Sequence, residues 1–326
     1  MHKILGTVLL CSWLSLLIPM FLVTTIYPRD LLELHSSSSQ TAQQFTYHSS
    51  SSEVRLVFFA TDEQNRHIES IHRDDFAVLD NGWVIRKFRS FAHAGLIKLD
   101  VVVLVDASDS VRPRFHKEID SVLNLISQWP WNPGDHVSVL SFSGMEPQVV
   151  CDGNCRTWFT SDHVDSLSNG GATPLFDAVT LAAGFLNGRR RPDVWPVMIV
   201  FSDGNDTISK ASFTSALKKV MAGEEQIYAI DLGNPTRPSE GTTILQRMAE
   251  SSGGRFLPFS DGADRILSEV MDDLHSGLLV TYALPESSSE FHSVRILPTH
   301  NLHLQFRCRR GYYRPFSDGV RQEDVP

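Results

Sequence analysis

The strongest constraint on the fold is an alternation of strand and helix patterns between residues 96 and 277. It begins at Val101–Val105, an unbroken run of valine and leucine that is typical of a central parallel strand covered on both faces. Further strand patterns lie at His136–Phe142, Val194–Phe201, Gln226–Leu232 and Arg255–Leu257. Helical periodicity lies at Arg114–Trp129, Pro174–Asn187, Lys210–Met221, Thr243–Ser251 and Ala263–Leu274. This order predicts an α/β fold with a doubly wound, mostly parallel sheet.

The segments on either side of this region carry strand patterns with no helical period between them. In residues 53–95 the strand patterns are Val54–Ala60, Asp75–Leu79 and Trp83–Phe91. In residues 278–316 they are Leu278–Ala283, Phe291–Leu297 and Leu302–Cys308. We therefore predict that the strands of residues 278–316 pack with residues 53–95 in one small discontinuous β module.

The N-terminus carries an uncharged, largely apolar run of 25 residues from Ile4 to Pro28, which is long enough to span a bilayer. It predicts a transmembrane or signal helix over residues 1–28. No small-x-small cleavage motif follows the run, which favours an uncleaved anchor over a removed signal peptide. Lys3 favours a cytoplasmic amino terminus, so we expect the rest of the chain to be exported. Residues 29–52 are serine-rich and are predicted to be a solvated linker, and residues 317–326 to be a tail.

The net charge and the motifs that are missing argue against nucleic-acid binding, nucleotide binding and a serine hydrolase. The 29 Lys and Arg residues against 38 Asp and Glu give a net charge of −9, which argues against a nucleic-acid binder with a broad basic surface. No Gly-x-x-x-x-Gly-Lys-Ser/Thr loop is present to hold the phosphates of a nucleotide. A Gly-x-Ser-x-Gly motif for a serine nucleophile is also absent.

Two of the four cysteines, Cys151 and Cys155, flank the sequence Asp-Gly-Asn, which suits a tight turn. Export would place them where oxidation is possible. We predict a local disulfide between them, with two free thiols as the alternative.

Oxygen-bearing side chains occur in three loops beside the predicted strand ends, where doubly wound sheets bind ligands. The first strand of the sheet leads into Asp106, Ser108 and Ser110; Thr173 precedes a long helix; and Asp203 follows a later strand. Alternation along an extended turn places the hydroxyls of Ser108 and Ser110 on the same side as Asp106. Carboxylates and hydroxyls without thiol or imidazole suit Mg²⁺, Mn²⁺ or Ca²⁺ and do not suit Zn²⁺. The alternative is that these residues only cap helices.

These residues resemble the metal-ion-dependent adhesion site of the von Willebrand factor type A family, whose pattern is Asp-x-Ser-x-Ser, then a Thr, then Asp-Gly. The resemblance implies that Ser108, Ser110 and, in one state, Thr173 bind the cation directly. It implies that Asp106 and Asp203 act largely through water. It further implies that an acidic side chain from a protein partner completes the site, so that the metal serves adhesion and not catalysis.

One position departs from the family pattern. Asp109 stands where the family usually has glycine. Its carboxylate either strengthens cation binding and repels an acidic partner, or faces solvent.

The two flanks of the central region extend the resemblance. The segments Asp75–Gly82 and Arg309–Pro315 resemble the ends of an exported bacterial subgroup, the von Willebrand factor A-related proteins described from Acidobacteria.

The sequence thus predicts an exported module that binds a divalent cation and a protein partner and is not an enzyme. It is membrane-anchored, or secreted if the N-terminal helix is cleaved. Two alternatives stay open. One is a metal-dependent hydrolase that uses the same ion to activate water, and the other is a cell-envelope scaffold with a vestigial metal site.

Overall fold

The computed structural model describes residues 53–68, 70–129, 131–153, 155, 170–286 and 289–314. The predicted transmembrane or signal helix at 1–28, the linker at 29–52 and the tail at 317–326 lie outside these residues. Within the described ranges, no helix combines the length and apolar character needed to cross a bilayer.

The described elements follow the predicted order closely. The strands are β1 (Glu53–Thr61), β2 (Phe76–Asp80), β3 (Trp83–Val84), β4 (Phe88–His93), β5 (Lys98–Asp106), β6 (His136–Ser143), β7 (Glu146–Asp152), β8 (Val194–Ser202), β9 (Gln226–Asp231), β10 (Arg255–Pro258), β11 (Leu278–Ala283), β12 (Phe291–Pro298), β13 (Gln305–Cys308) and β14 (Gly311–Tyr313). The α-helices are α1 (Phe115–Gln128), α2 (Leu175–Gly188), α3 (Phe213–Gly223), α4 (Glu240–Ser252) and α5 (Ala263–Ser276).

A six-stranded sheet with the order β10-β9-β8-β5-β6-β7 forms the centre of the fold. Its neighbouring strands are parallel except for β6 and β7, which pair antiparallel at one edge. The predicted α/β fold is therefore confirmed, with a mixed sheet.

Helices cover both faces of this sheet because β5 is apolar on both sides. Val101, Val103 and Val105 join a core with buried residues of α1 and α5. Val102 and Leu104 point to the other face and join a core with residues of α2, α3 and α4. An unbroken apolar strand thus buries its two sides against two separate layers of helices.

The two ends of the described chain meet in two further sheets, ordered β13-β1-β11-β4 and β14-β12-β2-β3. Strand β1 pairs antiparallel with β11 on one side and with β13 on the other. In the second sheet, β12 pairs antiparallel with β2 on one side and with β14 on the other. Buried side chains of both sheets, among them Phe58, Phe76 and Ile296, form a third core. The flanking strands therefore build two sheets with a shared core.

Several strand predictions differ from the structure. Residues 83–91, predicted as one strand, divide into β3 and β4, which belong to different sheets. The antiparallel strand β7 and the short β14 were not predicted. Most residues of β7 are exposed or half-buried, so this edge strand lacks the apolar run that marks the inner strands.

The flanking strands are fastened to the α/β core by aromatic and ionic contacts. Phe59 of β1 is buried in the core beside Trp195, with ring centroids 6.2 Å apart. Asp273 of α5 is fully buried and accepts hydrogen bonds from Arg255 of β10 and Arg307 of β13. His67, which follows β1, lies 3.0 Å from the same carboxylate. One buried carboxylate therefore holds four parts of the chain together.

Candidate metal centre

The candidate site lies where β5 and β8 end side by side. These strands are parallel neighbours, with Val105 opposite Phe201, so Asp106 and the loop after Ser202 emerge at the same edge of the sheet. This is the edge at which ligands bind in open α/β sheets.

Asp106 is fully buried, and hydrogen bonds fix both of its carboxylate oxygens. Its Oδ1 accepts from the backbone N–H of Ser108 at 3.0 Å, and its Oδ2 accepts from the Ser202 hydroxyl at 2.6 Å. The Ser202 oxygen in turn accepts from the N–H of Gly204 at 3.0 Å. Asp106 therefore joins the loop after β5 to the loop after β8.

The two serine hydroxyls of the first loop adjoin each other. Ser108 Oγ and Ser110 Oγ lie 3.1 Å apart, with Ser108 buried and Ser110 exposed. Two neutral oxygens therefore lie side by side near the buried carboxylate, and oxygen atoms are the ligands that hard cations prefer.

Backbone hydrogen bonds bring the Thr173 loop to the same place. The N–H of Asp109 donates to the carbonyl of Gly171 at 3.1 Å, and the N–H of Gly170 donates to the carbonyl of Ala107 at 2.6 Å. Thr173 itself is buried. The loop before α2 is therefore joined directly to the loop that carries the serines.

The loop after β8 holds Asp203 through an unusually close backbone contact. Gly204 has a φ of +78°, and a Cβ built on it would lie 2.1 Å from the carbonyl oxygen of Gly241. A Cβ on Gly241, in the first turn of α4, would lie 2.3 Å from the Asp203 carbonyl oxygen. Both positions need glycine because neither leaves room for a side chain. This contact sets the position of Asp203, whose Oδ1 accepts from the N–H of Asn205 at 3.1 Å.

The site gathers more carboxyl groups than the sequence motif indicates. Burial raises the pKa of Asp106 to about 6, although hydrogen bonds from Ser108 and Ser202 oppose the shift and Asp203 adds to it. Burial also raises the pKa of Glu118 well above its usual range, with further increases from Asp106 and Asp203. The pKa of Asp231 is raised by burial and, to a smaller extent, by Asp203.

Glu118 and Asp231 were not predicted as part of the site. Glu118 is fully buried on α1 and lies close enough to Asp106 for each to affect the electrostatics of the site. Its position three residues after Phe115 and four before Val122 places it on the buried stripe of the helix, so helical spacing contained the signal. Asp231 accepts hydrogen bonds from Gly233 and Thr242 at the end of β9, and only the strand order brings it beside Asp203.

The donor set limits what can be bound here. Among the described residues, no group of three or more His, Cys, Asp or Glu side chains is arranged to hold a metal ion. Hydroxyl and carboxylate oxygens fit a hard divalent cation.

Asp109, the position that departs from the family pattern, is mostly exposed. Its Oδ1 lies 2.8 Å from Nη2 of Arg112, one turn further along the chain. A Cβ on Gly170 would lie 2.3 Å from the same Nη2, so the pair stands directly against the loop that carries Thr173. The added carboxylate is therefore balanced by a guanidinium.

The cysteine pair lies away from this edge. Cys151 and Cys155 are both buried and form a disulfide, with Cα atoms 5.5 Å apart. Cys151 is opposite Val139, near the start of β6, whereas the candidate site lies beyond the ends of the strands. Burial raises the pKa of the remaining described thiol, Cys308, to about 12, so it is unreactive at neutral pH.

Comparison with known proteins identifies the central domain. Residues 101–205 match the family model of the von Willebrand factor type A domain. The matched residues include Asp106, Ser108, Ser110, Thr173 and Asp203. No curated protein matches the chain significantly.

Several solved structures are similar to parts of the chain. Proximal thread matrix protein 1 from the mussel byssus is 21% identical with a TM-score of 0.44, covering 55% of this chain and 48% of that one. Another structure of the mussel protein, with a zinc-occupied MIDAS motif, is 14% identical with a TM-score of 0.42, covering 61% and 50%. An aerotolerance-related membrane protein from Bacteroides fragilis is 18% identical with a TM-score of 0.43, covering 54% and 98%. The chain spans about half the length of the mussel protein.

Proposed function

We propose that the chain is an exported protein-binding module in which Asp106, Ser108, Ser110, Thr173 and Asp203 hold one divalent cation. The observation that carries this proposal is the gathering of buried carboxyls beside two adjoining hydroxyls at the edge of the sheet. In the proposed arrangement the N-terminal segment tethers the module to a membrane, or is removed on secretion.

The electrostatics of the site support a bound cation. Burial and, to a smaller extent, the Asp203 carboxylate raise the pKa of both Asp106 and Asp231, and a bound divalent cation would favour the charged form of these groups. The Arg114 guanidinium, which donates to the carbonyl of Leu232, opposes the rise in the pKa of Asp231 but is outweighed by burial. The Mg²⁺, Mn²⁺ or Ca²⁺ ion of the proposal would therefore stabilise these buried carboxylates in their charged form.

The side chains divide into two roles in this proposal. Asp106 positions the loops, because both of its oxygens already accept hydrogen bonds from the chain. The hydroxyls of Ser108 and Ser110 are neutral ligands, so they leave the charge of the ion largely uncompensated. When bound, the cation supplies a Lewis-acidic centre that can accept a carboxylate oxygen from a partner protein. This division favours binding over catalysis, since the carboxylate of Asp106 is buried and held by the loops it joins.

Removal of the two hydroxyls tests the metal site. Isothermal titration of the full chain in detergent with Mg²⁺, Mn²⁺, Ca²⁺ and Zn²⁺ is expected to show one site in the native protein. Ser108→Ala/Ser110→Ala is expected to weaken binding of the preferred ion at least about tenfold, since two ligands are lost. Ser127→Ala, at an exposed site on α1, is the matched control and should leave the affinity unchanged. Equal affinity in the native and double-alanine proteins would remove the metal proposal.

Acid is expected to weaken the same binding. A carboxyl with a raised pKa is partly protonated near that pH and must release its proton when a cation binds. Because the pKa of Asp106 is about 6, the apparent affinity should be nearly constant above pH 7 and should fall as the pH drops below 6. Titrations at pH 7.5, 6.5 and 5.5 in buffers of different ionisation enthalpy measure both the affinity and the protons released. An affinity that is flat over this range, with no proton release, would contradict this account of Asp106.

A further inference from the structure

Two large apolar side chains stand exposed beside the candidate metal centre. Met145, in the turn between β6 and β7, is 70% exposed, and Ile208, in the loop after β8, is 37% exposed. We refer to these two residues as the apolar rim. Scattered apolar residues are common on protein surfaces, so their placement relative to the site decides whether they matter.

Hydrogen bonds place both residues against the Thr173 loop. Thr207, next to Ile208, accepts from the N–H of Thr173 through its hydroxyl at 2.8 Å and donates its own N–H to the Thr173 carbonyl at 2.9 Å. Gly144, next to Met145, donates its N–H to the carbonyl of Ala172 at 2.8 Å. The apolar rim is therefore attached to the site from two separate loops.

Two ion pairs flank the site. Lys210 Nζ lies 3.9 Å from Glu146 Oε1, and so links the two loops that carry the apolar rim. On the other side of the Thr173 loop, Asp109 pairs with Arg112. The loop that carries Ile208 also carries Asp206, whose carboxylate accepts from the N–H of Phe176 and from the Ser209 hydroxyl. The attraction of a partner's acidic group must therefore come from the cation at the centre.

From this placement we infer that the partner is a protein segment in which an Asp or Glu stands directly beside a large apolar residue. The carboxylate of the partner's Asp or Glu binds the cation, and the apolar neighbour packs over Met145 and Ile208. This inference rests on the proposed function. Interfaces of this kind combine one charged anchor with apolar contacts that leave water on binding.

A peptide array tests this inference with defined probes. The array holds heptapeptides with a central Asp, Glu, Asn or Gln, flanked by Leu, Phe, Ser or Lys on either side. The full chain in detergent is applied with Mg²⁺ or Mn²⁺, and again with EDTA. We expect peptides with an acid beside Leu or Phe to bind about tenfold more tightly than those with an acid beside Ser, the size expected when one apolar side chain leaves water.

Variants of the apolar rim identify the source of the preference. Met145→Ser/Ile208→Ser should remove the preference for Leu or Phe, while the metal affinity and the need for an acid remain. Met145→Leu/Ile208→Val should keep the preference. Leu302→Ser is the control, because Leu302 is 77% exposed and precedes β13.

The outcomes separate this inference from the proposed function. EDTA-sensitive binding of acidic peptides with no apolar preference, or a preference that survives the double-serine change, overturns the inference and leaves the proposed function standing. Metal binding with no EDTA-sensitive peptide overturns both the inference and the adhesive role. Metal-dependent dimers in sedimentation velocity that disappear in the double-serine variant would make a second copy of the chain the occupant, which also overturns it.

Discussion

Gly204→Ala is expected to destabilise the protein by about 3 kcal/mol or more, because a new Cβ would overlap backbone atoms and hold an unfavourable φ. The overlap is with the carbonyl of Gly241, 2.1 Å away, and a backbone atom at the start of a helix cannot rotate aside as a side chain does. The chain must therefore separate the loop after β8 from α4. Since Asp203 precedes this glycine, its carboxylate should move as well. Urea unfolding measures the first effect and titration with Mg²⁺ measures the second.

Gly82→Ala is the matched control for this prediction. Gly82 has nearly the same backbone angle, with a φ of +82°, but no atom lies within 4 Å of the Cβ built on it. This change should therefore lower the free energy of unfolding by only about 1 kcal/mol, the amount due to the backbone angle alone. If both variants lose the same stability, the contact between Gly204 and Gly241 does not constrain the position of Asp203.

Asp273→Ala is expected to lower the free energy of unfolding by about 3–5 kcal/mol, because it removes the shared anion from a buried ionic cluster. Arg255 and Arg307, each only partly exposed, would lose their common partner. His67 would lose its contact with α5 at the same time. The loss should therefore loosen the flanking strands from the α/β core, and hydrogen exchange should reveal it first in β1 and β13.

Asp272→Ala is the control on the same helix. Asp272 is exposed, so its replacement should change stability by less than about 0.5 kcal/mol. A similar small effect for Asp273→Ala would show that the cluster adds little to the joint between the flanking strands and the core.

The same carboxylate predicts how acid affects stability. Burial alone would raise the pKa of Asp273, but the His67 hydrogen bond and the Arg307 and Arg255 guanidiniums outweigh it and hold the pKa below its usual range. A depressed pKa in the folded state stabilises the protein above the unfolded value of about 4, and the contribution is lost as the pH falls through the folded value. The stability difference between the native protein and Asp273→Asn should therefore shrink below about pH 4. A constant difference from pH 7 to pH 3 would contradict this assignment.

The central sheet was predictable because its signals are local. The run Val101–Val105 contains the apolar residues of both faces, and helical periods follow it along the chain. The proximity of Ser108 and Ser110 follows from their spacing in one loop. Such features need no knowledge of distant contacts.

The pairing of the flanking strands could not be read from sequence in the same way. Residues 83–91 look like one strand, but β3 pairs with β2 whereas β4 pairs with β11 in another sheet. Pairing between residues about 200 positions apart, such as Val54 with Tyr282, leaves no local pattern. The proximity of Asp231 to Asp203 also leaves no local pattern, because it depends on the order of the strands in the sheet. Local spacing therefore predicts elements, whereas partners depend on the whole fold.

The position of β1 between β11 and β13 has a mechanical consequence. Antiparallel hydrogen bonds run across the strands, so tension applied along β1 from Glu53 would load them in shear. Under shear, these hydrogen bonds have to break together. If the strands were peeled apart, they would break one after another. If the protein were pulled from its amino-terminal side, the force would therefore pass through β1, which is paired on both sides.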